Sequence, residues 1–306
     1  MIQPGRTLPP DYQIKEAAFQ ANKKLPKDTT FYIVGGLYGN PWALKALKHL
    51  LKEEEGPIHC CFNGDYHWFD FRSADFMKIE QFVQHYDRLL GNVEAECCRQ
   101  EATYGCGCSY PATVPAATVA RSNAIHQKLK RTARQFPQVI STYQHLKKIQ
   151  RYTLGDLGVL VSHGDEQALA GWQCSEQNIR QPKRQRQLEN FAAQKQIKVF
   201  ACTHTCSPVI YAGKNVLLVN NGASGMPSLR ESMAGLVTRL SPKPHPAALY
   251  QKEVQGYWVE LVPVAYDVQA MLAWFDRVWP LPSAAALSYR KRLSQGVEQS
   301  LPVITI

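Results

Sequence analysis

Five polar clusters, each beside a strand-like apolar segment, constrain the fold of this chain more than any other feature. They are FNGDYHWFD (62–70), LLGNVEAE (89–96), VSHGDE (161–166), ACTHT (201–205) and NNGASGMPS (220–228). Apolar runs that end in glycine and polar residues are typical of buried strands. Loops at the carboxyl ends of strands are where α/β proteins place functional side chains. We therefore expect the clusters to converge on one site.

The first strand-like segment leads into a turn that carries neither acidic nor histidine side chains. FYIVGGLYGN (31–40) begins as a buried strand, and PWALKALKHLLK (41–52) follows as a helix with Pro41 in its first turn. Turns of this kind usually deliver functional side chains to the end of a sheet. Here the glycines could instead leave backbone N–H groups facing an anion.

Composition indicates a soluble globular protein. The chain has 306 residues, of which 45% are hydrophobic and 20% charged, enough for one large α/β domain or two modest ones. No apolar run approaches the roughly 20 residues that span a bilayer, and the N-terminus lacks an apolar signal core. The nine cysteines are odd in number, which favours reduced thiols and a cytoplasmic location without membrane attachment.

The net charge of +10 leaves two interpretations open. The basic stretches at 127–135 and 179–198 could be solvated helix faces, or they could attract phosphate-bearing ligands. No helix-turn-helix, RNA-recognition or zinc-finger pattern accompanies them, so sequence-specific nucleic-acid binding is not expected.

The order of the elements predicts mixed β-sheets packed on each other with helices outside. Strand-like and helical segments alternate in the first half, and short consecutive strands dominate later. We interpret 1–28 as an N-terminal arm, 29–267 as one domain, and 268–306 as a tail with two helices packed on that domain. The stretch SPKPHPAALYQKEVQG (241–256) is interpreted as a loop.

Short motifs in a fixed order resemble those of the calcineurin-like metallophosphoesterases. The matching stretches are GGLYGN, NGD, GNVE, SHG and ACTH, with NNGASGMP further on, and the resemblance covers roughly residues 29 to 265. It implies an α/β, four-layer αββα sandwich of two packed mixed sheets flanked by helices. It also implies hydrolysis of a phosphate mono- or diester in a small phosphorylated substrate.

The same resemblance implies metal ligands. Asp65, Asn92 and His163 match the motifs, whereas the last motif places histidines at Cys202, which is substituted, and at His204, which is kept. One divalent metal could then be held by the first three residues with the Cys202 thiolate. Such a ligand set favours zinc, iron or manganese.

The other metal of the family would lose its ligands. The resemblance places an aspartate at Gly36 and a histidine at Tyr38, and both are absent. Only Asp65 and His204 would remain, which is too few for a tight divalent site. We expect one metal at most, with Asp65, Asn92, His163 and His204 as the catalytic residues.

Each candidate also has a structural interpretation. Asp65 could cap a turn, Asn92 could be the N-cap of a helix, and Cys202 could be an inert core residue. His67 could pack among aromatic rings or reach into the space of the missing ligands. Tyr38 could fill that space or bond to phosphate.

A cysteine cluster follows Asn92. Cys97, Cys98, Cys106 and Cys108 could form a zinc or redox centre, but their spacing is not that of paired Cys-x2-Cys motifs, and pocket shaping is the simpler role. The predicted phosphate or substrate pocket contains the following residues: Gly36, Tyr38, Asn40, His67, Cys106, Cys108 and Asn221.

Two functions remain open at this stage. The protein could be a metal-dependent phosphoesterase with an altered, single-metal site. Alternatively, it could be an inactive member that binds a phosphate-bearing ligand or a protein partner, because fold alone does not fix function.

Overall fold

Two β-sheets form the centre of the molecule. The computed structural model describes residues 1–230 and 232–306. The strands are β1 (Asn22–Leu25), β2 (Thr30–Val34), β3 (Ile58–Phe62), β4 (Asp87–Arg88), β5 (Ile149–Leu154), β6 (Leu157–Ser162), β7 (Val199–Cys202), β8 (Val209–Ala212), β9 (Leu217–Asn220), β10 (Gly235–Ser241), β11 (Tyr250–Val254), β12 (Tyr257–Val264) and β13 (Val303–Thr305).

Both sheets are mixed. One has seven strands in the order β1-β5-β6-β7-β9-β8-β13, and the other has six in the order β11-β12-β10-β2-β3-β4. Strands β2, β3 and β4 run parallel, as do β6, β7 and β9. Their carboxyl ends therefore present their following loops at one edge of each sheet.

Helices cover the outer faces of the sheets. They are α1 (Pro41–Lys52), α2 (Ser73–Val83), α3 (Asn92–Cys98), α4 (Ala116–Ala133), α5 (Pro137–Gln144), α6 (Glu176–Ile179), α7 (Pro182–Lys195), α8 (Val268–Val278) and α9 (Ala284–Gln295). None of the described helices combines the length and the apolarity that crossing a lipid bilayer requires.

Side chains point alternately to the two faces of each strand, and this alternation divides the core into layers. In β2, Phe31 and Ile33 join Val161 of β6 and Ala201 of β7 in a buried cluster between the sheets. Tyr32 belongs to an outer cluster under α1, because successive side chains of a strand point to opposite faces. The expected four-layer αββα sandwich is confirmed. Each fully buried large apolar side chain contributes about 1.5–3 kcal/mol to it.

The structure differs from the sequence interpretation in the second half of the chain. The stretch 241–256, predicted as a loop, contains the edge strand β11, which pairs antiparallel with β12. Its exposed and half-buried residues alternate, and such a short polar edge strand has a weak sequence signal. Strand β8 has only four residues, all buried, and pairs antiparallel with β9.

Both ends of the chain contribute strands to the sandwich. Strand β1 of the N-terminal arm extends the seven-stranded sheet by pairing parallel with β5. Strand β13 extends its other edge by pairing with β8. Helix α9 packs against α4 and α8, which brings C-terminal residues to the site described next.

Candidate metal centre

Asp65 lies in a tight turn after β3. Its φ of +55° is left-handed, and it follows Gly64 with φ of +97°. The buried Glu94 carboxylate accepts the backbone N–H groups of Asp65 at 2.9 Å and Tyr66 at 3.0 Å. It also accepts the N–H of Gly91 at 3.0 Å, so one side chain joins this turn to the start of α3.

Asn92 is the first residue of α3. The N-cap is Gly91, whereas the sequence had suggested Asn92, and the Glu94 side chain accepts the Gly91 N–H as the N3 residue of a capping box does. The Asn92 amide is therefore not used in capping. Its Nδ2 donates to the Cys106 carbonyl at 3.0 Å, which fixes the orientation of Oδ1.

His163 follows β6 and is completely buried. Its Nδ1 lies 2.9 Å from the Asn63 carbonyl, to which it donates. Its Nε2 faces three other groups: Asn92 Oδ1 at 3.0 Å, His204 Nδ1 at 3.1 Å and Asp65 Oδ1 at 3.4 Å. Burial lowers the pKa of His163 to about 4, which favours the neutral ring.

His204 is oriented in the same way, by a hydrogen bond from one ring nitrogen to a backbone carbonyl. Its Nε2 donates to the Cys108 carbonyl at 3.1 Å, so Nδ1 carries the free lone pair. Burial, followed by the neighbouring His163, keeps the pKa of His204 below its ordinary value.

The four side chains present only acceptor atoms to one another. Both imidazoles use their N–H groups on backbone carbonyls, and the Asn92 amide donates away from the group. Ligand atoms of Asp65, His163 and His204 all lie within 4.8 Å of one another. Facing lone pairs repel unless a proton or a cation lies between them. Two nitrogens and two oxygens are a suitable ligand set for zinc, iron or manganese.

Burial raises the pKa of Asp65 to about 7, partly offset by the Val93 N–H bond. Metal binding requires the deprotonated carboxylate, so a cation and this proton would compete.

Cys202 does not join this group, contrary to the prediction. Cys202 and His204 were expected to face the same way as residues i and i+2 of a strand. Strand β7 ends at Cys202, and its thiol packs in the outer layer with Phe200 and Leu188 of α7. After the strand the backbone turns, because the N–H groups of both Thr203 and His204 bond to the His163 carbonyl.

The last motif is thus shifted by two residues relative to the sequence interpretation. His204, not Cys202, lies beside Asn92 and His163. Cys206 then lies where His204 had been expected, and its Sγ is 2.8 Å from the hydroxyl of Tyr38.

Tyr38 and Cys206 close the other side of the site. Tyr38 is buried, and its φ is +54°. A Cβ added at Gly36 would lie 2.8 Å from the ring of Tyr38, so the tyrosine ring occupies space that a side chain at position 36 would need.

A cavity of about 160 Å³ lies beside the four acceptor side chains. We call it the site cavity. Its lining residues are Tyr38, Asp65, Trp68, Asn92, Cys108, Tyr110, Trp172, His204, Thr205, Cys206, Tyr289 and Arg292. His163 is not among them. The sequence interpretation did not include Trp68, Tyr110, Trp172, Tyr289 or Arg292, although Trp68 belongs to the polar cluster FNGDYHWFD (62–70).

Two solved structures share this architecture. A hypothetical protein from Pyrococcus horikoshii superposes with a TM-score of 0.59 and 13% identity, covering 89% of this chain and 100% of that chain. A metallophosphoesterase from Sphaerobacter thermophilus superposes with a TM-score of 0.55 and 15% identity, covering 88% of this chain and 100% of that chain. The chain has the calcineurin-like metallophosphoesterase fold. No protein-family model and no curated protein matches the sequence significantly.

Three other predicted pocket residues support the loops of this metallophosphoesterase fold and do not line the site cavity. Asn40 caps α1 by accepting the N–H groups of Trp42 and Ala43. Asn221 donates to the Leu236 carbonyl at 2.8 Å. Cys106 contributes its carbonyl to Asn92, whereas Cys108 lines the cavity directly.

The cysteine cluster is not a metal centre in the described part of the chain. There, Asp65, His163 and His204 are the group of three His, Cys or acidic side chains with metal-binding spacing. Cys97 lies 3.8 Å from His126 Nε2, and Cys98 bonds to the Ile140 carbonyl. Their thiols face different neighbours, which explains why no cluster forms.

His67 also lies outside the site cavity, in a buried ionic network. Its Nδ1 is 2.6 Å from Asp70 and its Nε2 is 3.0 Å from Glu80. The ring stacks on Phe76 with centroids 4.0 Å apart. Burial alone lowers the pKa of His67, but the two carboxylates outweigh burial and raise the pKa to about 10. His67 is therefore a charged structural residue.

Replacing His67 tests that network. We expect His67→Ala to lower the free energy of unfolding by about 3–5 kcal/mol, because Asp70 is left buried without its counter-charge. The exposed His49→Ala in α1 should change it by less than about 0.5 kcal/mol. Urea denaturation measures both.

The same network predicts a pH dependence. A folded-state pKa near 10 exceeds the ordinary value of about 6.5, so the stabilisation is complete below pH 6.5 and is lost as pH rises through 10. The difference in unfolding free energy between wild type and His67→Ala should therefore decrease as pH rises over that range. A constant difference would contradict the charged-histidine interpretation.

Glu94 offers a second test. In Glu94→Gln, an amide N–H₂ would face backbone N–H donors, so we expect a loss of about 1–3 kcal/mol in unfolding free energy. Glu253→Gln, on the exposed face of β11, is the matched control and should be neutral. If Glu94→Gln were as stable as the control, this carboxylate would not hold the turn of Asp65.

Proposed function

We propose that this protein is a phosphoesterase that uses one divalent metal, held by Asp65, Asn92, His163 and His204. The observation that carries the proposal is that the facing atoms of the four side chains are all acceptors when Asp65 is ionised. The fold supports it as well, since a metallophosphoesterase from Sphaerobacter thermophilus shares it.

A second metal is not supported by the residues on the other side of the site. Tyr38 and Cys206 contact each other there, and Gly36 offers no side chain. Asp65 would be the one strong ligand left, which is too few for a tight divalent site.

The bound cation would supply electrostatic stabilisation of the phosphoryl oxygens and a lowered pKa for water. The chain's own residues prepare the site for this. Asn63 and Cys108 carbonyls fix the two imidazole tautomers and ring orientations, as second-layer partners of metal ligands do. Asp65, Asn92 and His204 face the site cavity, where a phosphate ester would lie.

Metal content and hydrolysis test the proposal together. Protein dialysed against zinc or manganese should retain about one metal per chain and hydrolyse p-nitrophenyl phosphate. We expect His163→Ala to weaken metal binding by at least about tenfold and to lose hydrolysis in parallel. His59→Ala is the matched control, because His59 also contacts a carboxylate, Asp87 at 2.8 Å, but at the far end of β3.

Two results would contradict the proposal. Wild-type protein that binds no metal would lack the cation on which the proposed hydrolysis depends. Two metals per chain would show that residues near Tyr38 and Cys206 still bind the second one.

A second candidate function is ligand binding without turnover. The contact between Tyr38 and Cys206 favours it, because it occupies the side of the site where the resemblance implies ligands of another metal. One metal per chain together with phosphate binding, but no hydrolysis of any ester tried, would support this alternative.

A further inference from the structure

Arg292 of α9 reaches the site cavity from the C-terminal end of the chain. Its Nε donates to the Pro227 carbonyl at 2.7 Å, and its Nη2 donates to the Cys206 carbonyl at 2.8 Å and to Ser228 Oγ at 3.2 Å. All three acceptors are uncharged. Within the described residues Nη1 has no partner, so the guanidinium is oriented but its charge is not neutralised by a carboxylate.

Trp68, which lines the same cavity, carries an unpaired hydrogen-bond donor. Its side chain is 3% exposed, and its Nε1 is buried without a hydrogen-bond partner among the described residues. An unpaired buried N–H is unfavourable, and a bound acceptor would remove this cost.

Aromatic rings form much of the remaining wall. Tyr110 and Trp172 lie with ring centroids 6.0 Å apart, and Trp68 and Tyr289 with centroids 6.5 Å apart. A cavity of about 150 Å³ is large enough for one benzene ring. The site cavity, at about 160 Å³, is of that size.

The geometry points to a substrate subsite for the phosphate monoester of an alcohol that carries a single aromatic ring, with its phosphoryl oxygens bound by Arg292 and the Trp68 N–H. This inference rests on the proposed function and specifies its substrate class. Arg292 adjoins Cys206, on the side of the site that Tyr38 and Cys206 close, so its charge acts where no second cation is expected.

The two donors have distinct roles. The guanidinium supplies charge and a fixed fork of N–H groups for an oxyanion, and the indole supplies one directed N–H. The aromatic walls exclude water and offer flat faces to the ring of the alcohol.

The first experiment measures binding of inorganic phosphate to the metal-loaded protein by calorimetry. We expect Arg292→Gln to raise the Kd by roughly tenfold to a hundredfold and Arg292→Lys by less, because lysine keeps the charge but not the fork. Trp68→Phe, which keeps an aromatic ring but removes the N–H, should raise the Kd by about threefold to tenfold.

Arg290→Gln is the matched control. Arg290 lies in the same helix and pairs with Asp276 at the surface, so its loss should leave phosphate binding unchanged. An Arg292→Gln variant that binds phosphate as tightly as the Arg290→Gln variant would overturn the assignment of Arg292.

The second experiment compares benzyl phosphate with propyl phosphate, whose leaving alcohols have similar acidity. We expect kcat/KM to favour the benzyl ester by about tenfold in the wild type, through a lower KM, because the ring contacts the aromatic wall. Equal kcat/KM values would overturn the aromatic part of the inference.

Metal content, measured on every sample, separates the possible failures. Wild-type protein that holds no metal and hydrolyses neither ester would contradict the proposed function itself. Suppose instead that the wild type holds one metal and hydrolyses both esters, but substitution of Arg292 or Trp68 leaves the phosphate Kd unchanged. That result would contradict only the subsite.

Discussion

One buried carboxylate, that of Glu94, joins two of the polar loops that form the site. It accepts N–H groups from both sides of the junction between the turn of Asp65 and the start of α3. Burial, followed by the charge of Asp65, raises the pKa of Glu94, whereas its backbone N–H donors favour the ionised form. The left-handed backbone of Asp65 is held by these bonds, and the orientation of its carboxylate follows from that backbone.

Backbone carbonyls behind the four acceptor side chains determine the tautomer and the ring orientation of the two imidazoles. The carbonyl of Asn63 orients His163, and that of Cys108 orients His204. The segment from Cys106 to Cys108 thus acts through its main chain more than through its thiols, since the Cys106 carbonyl also orients Asn92. Gly107 permits this close packing: a Cβ there would lie 2.4 Å from the Tyr12 hydroxyl.

The sequence was sufficient to predict the layered fold and the convergence of Asp65, Asn92, His163 and His204, because motif order and strand ends are local signals. It was not sufficient to fix the register of ACTHT. That register depends on β7 ending at Cys202, where two N–H groups turn to the His163 carbonyl. It also could not indicate Arg292, which reaches the cavity only through the packing of α9 on α4 and α8.

The position of Arg292 and Tyr289 in α9 has a consequence for the order in which the site is made. All four acceptor side chains lie between residues 65 and 204, so a ribosome synthesises them well before the last helix. A nascent chain can therefore assemble the acceptor group while the wall formed by α9 is still missing. The cavity is completed only when α9 has been synthesised and Arg292 can donate to the Cys206 carbonyl.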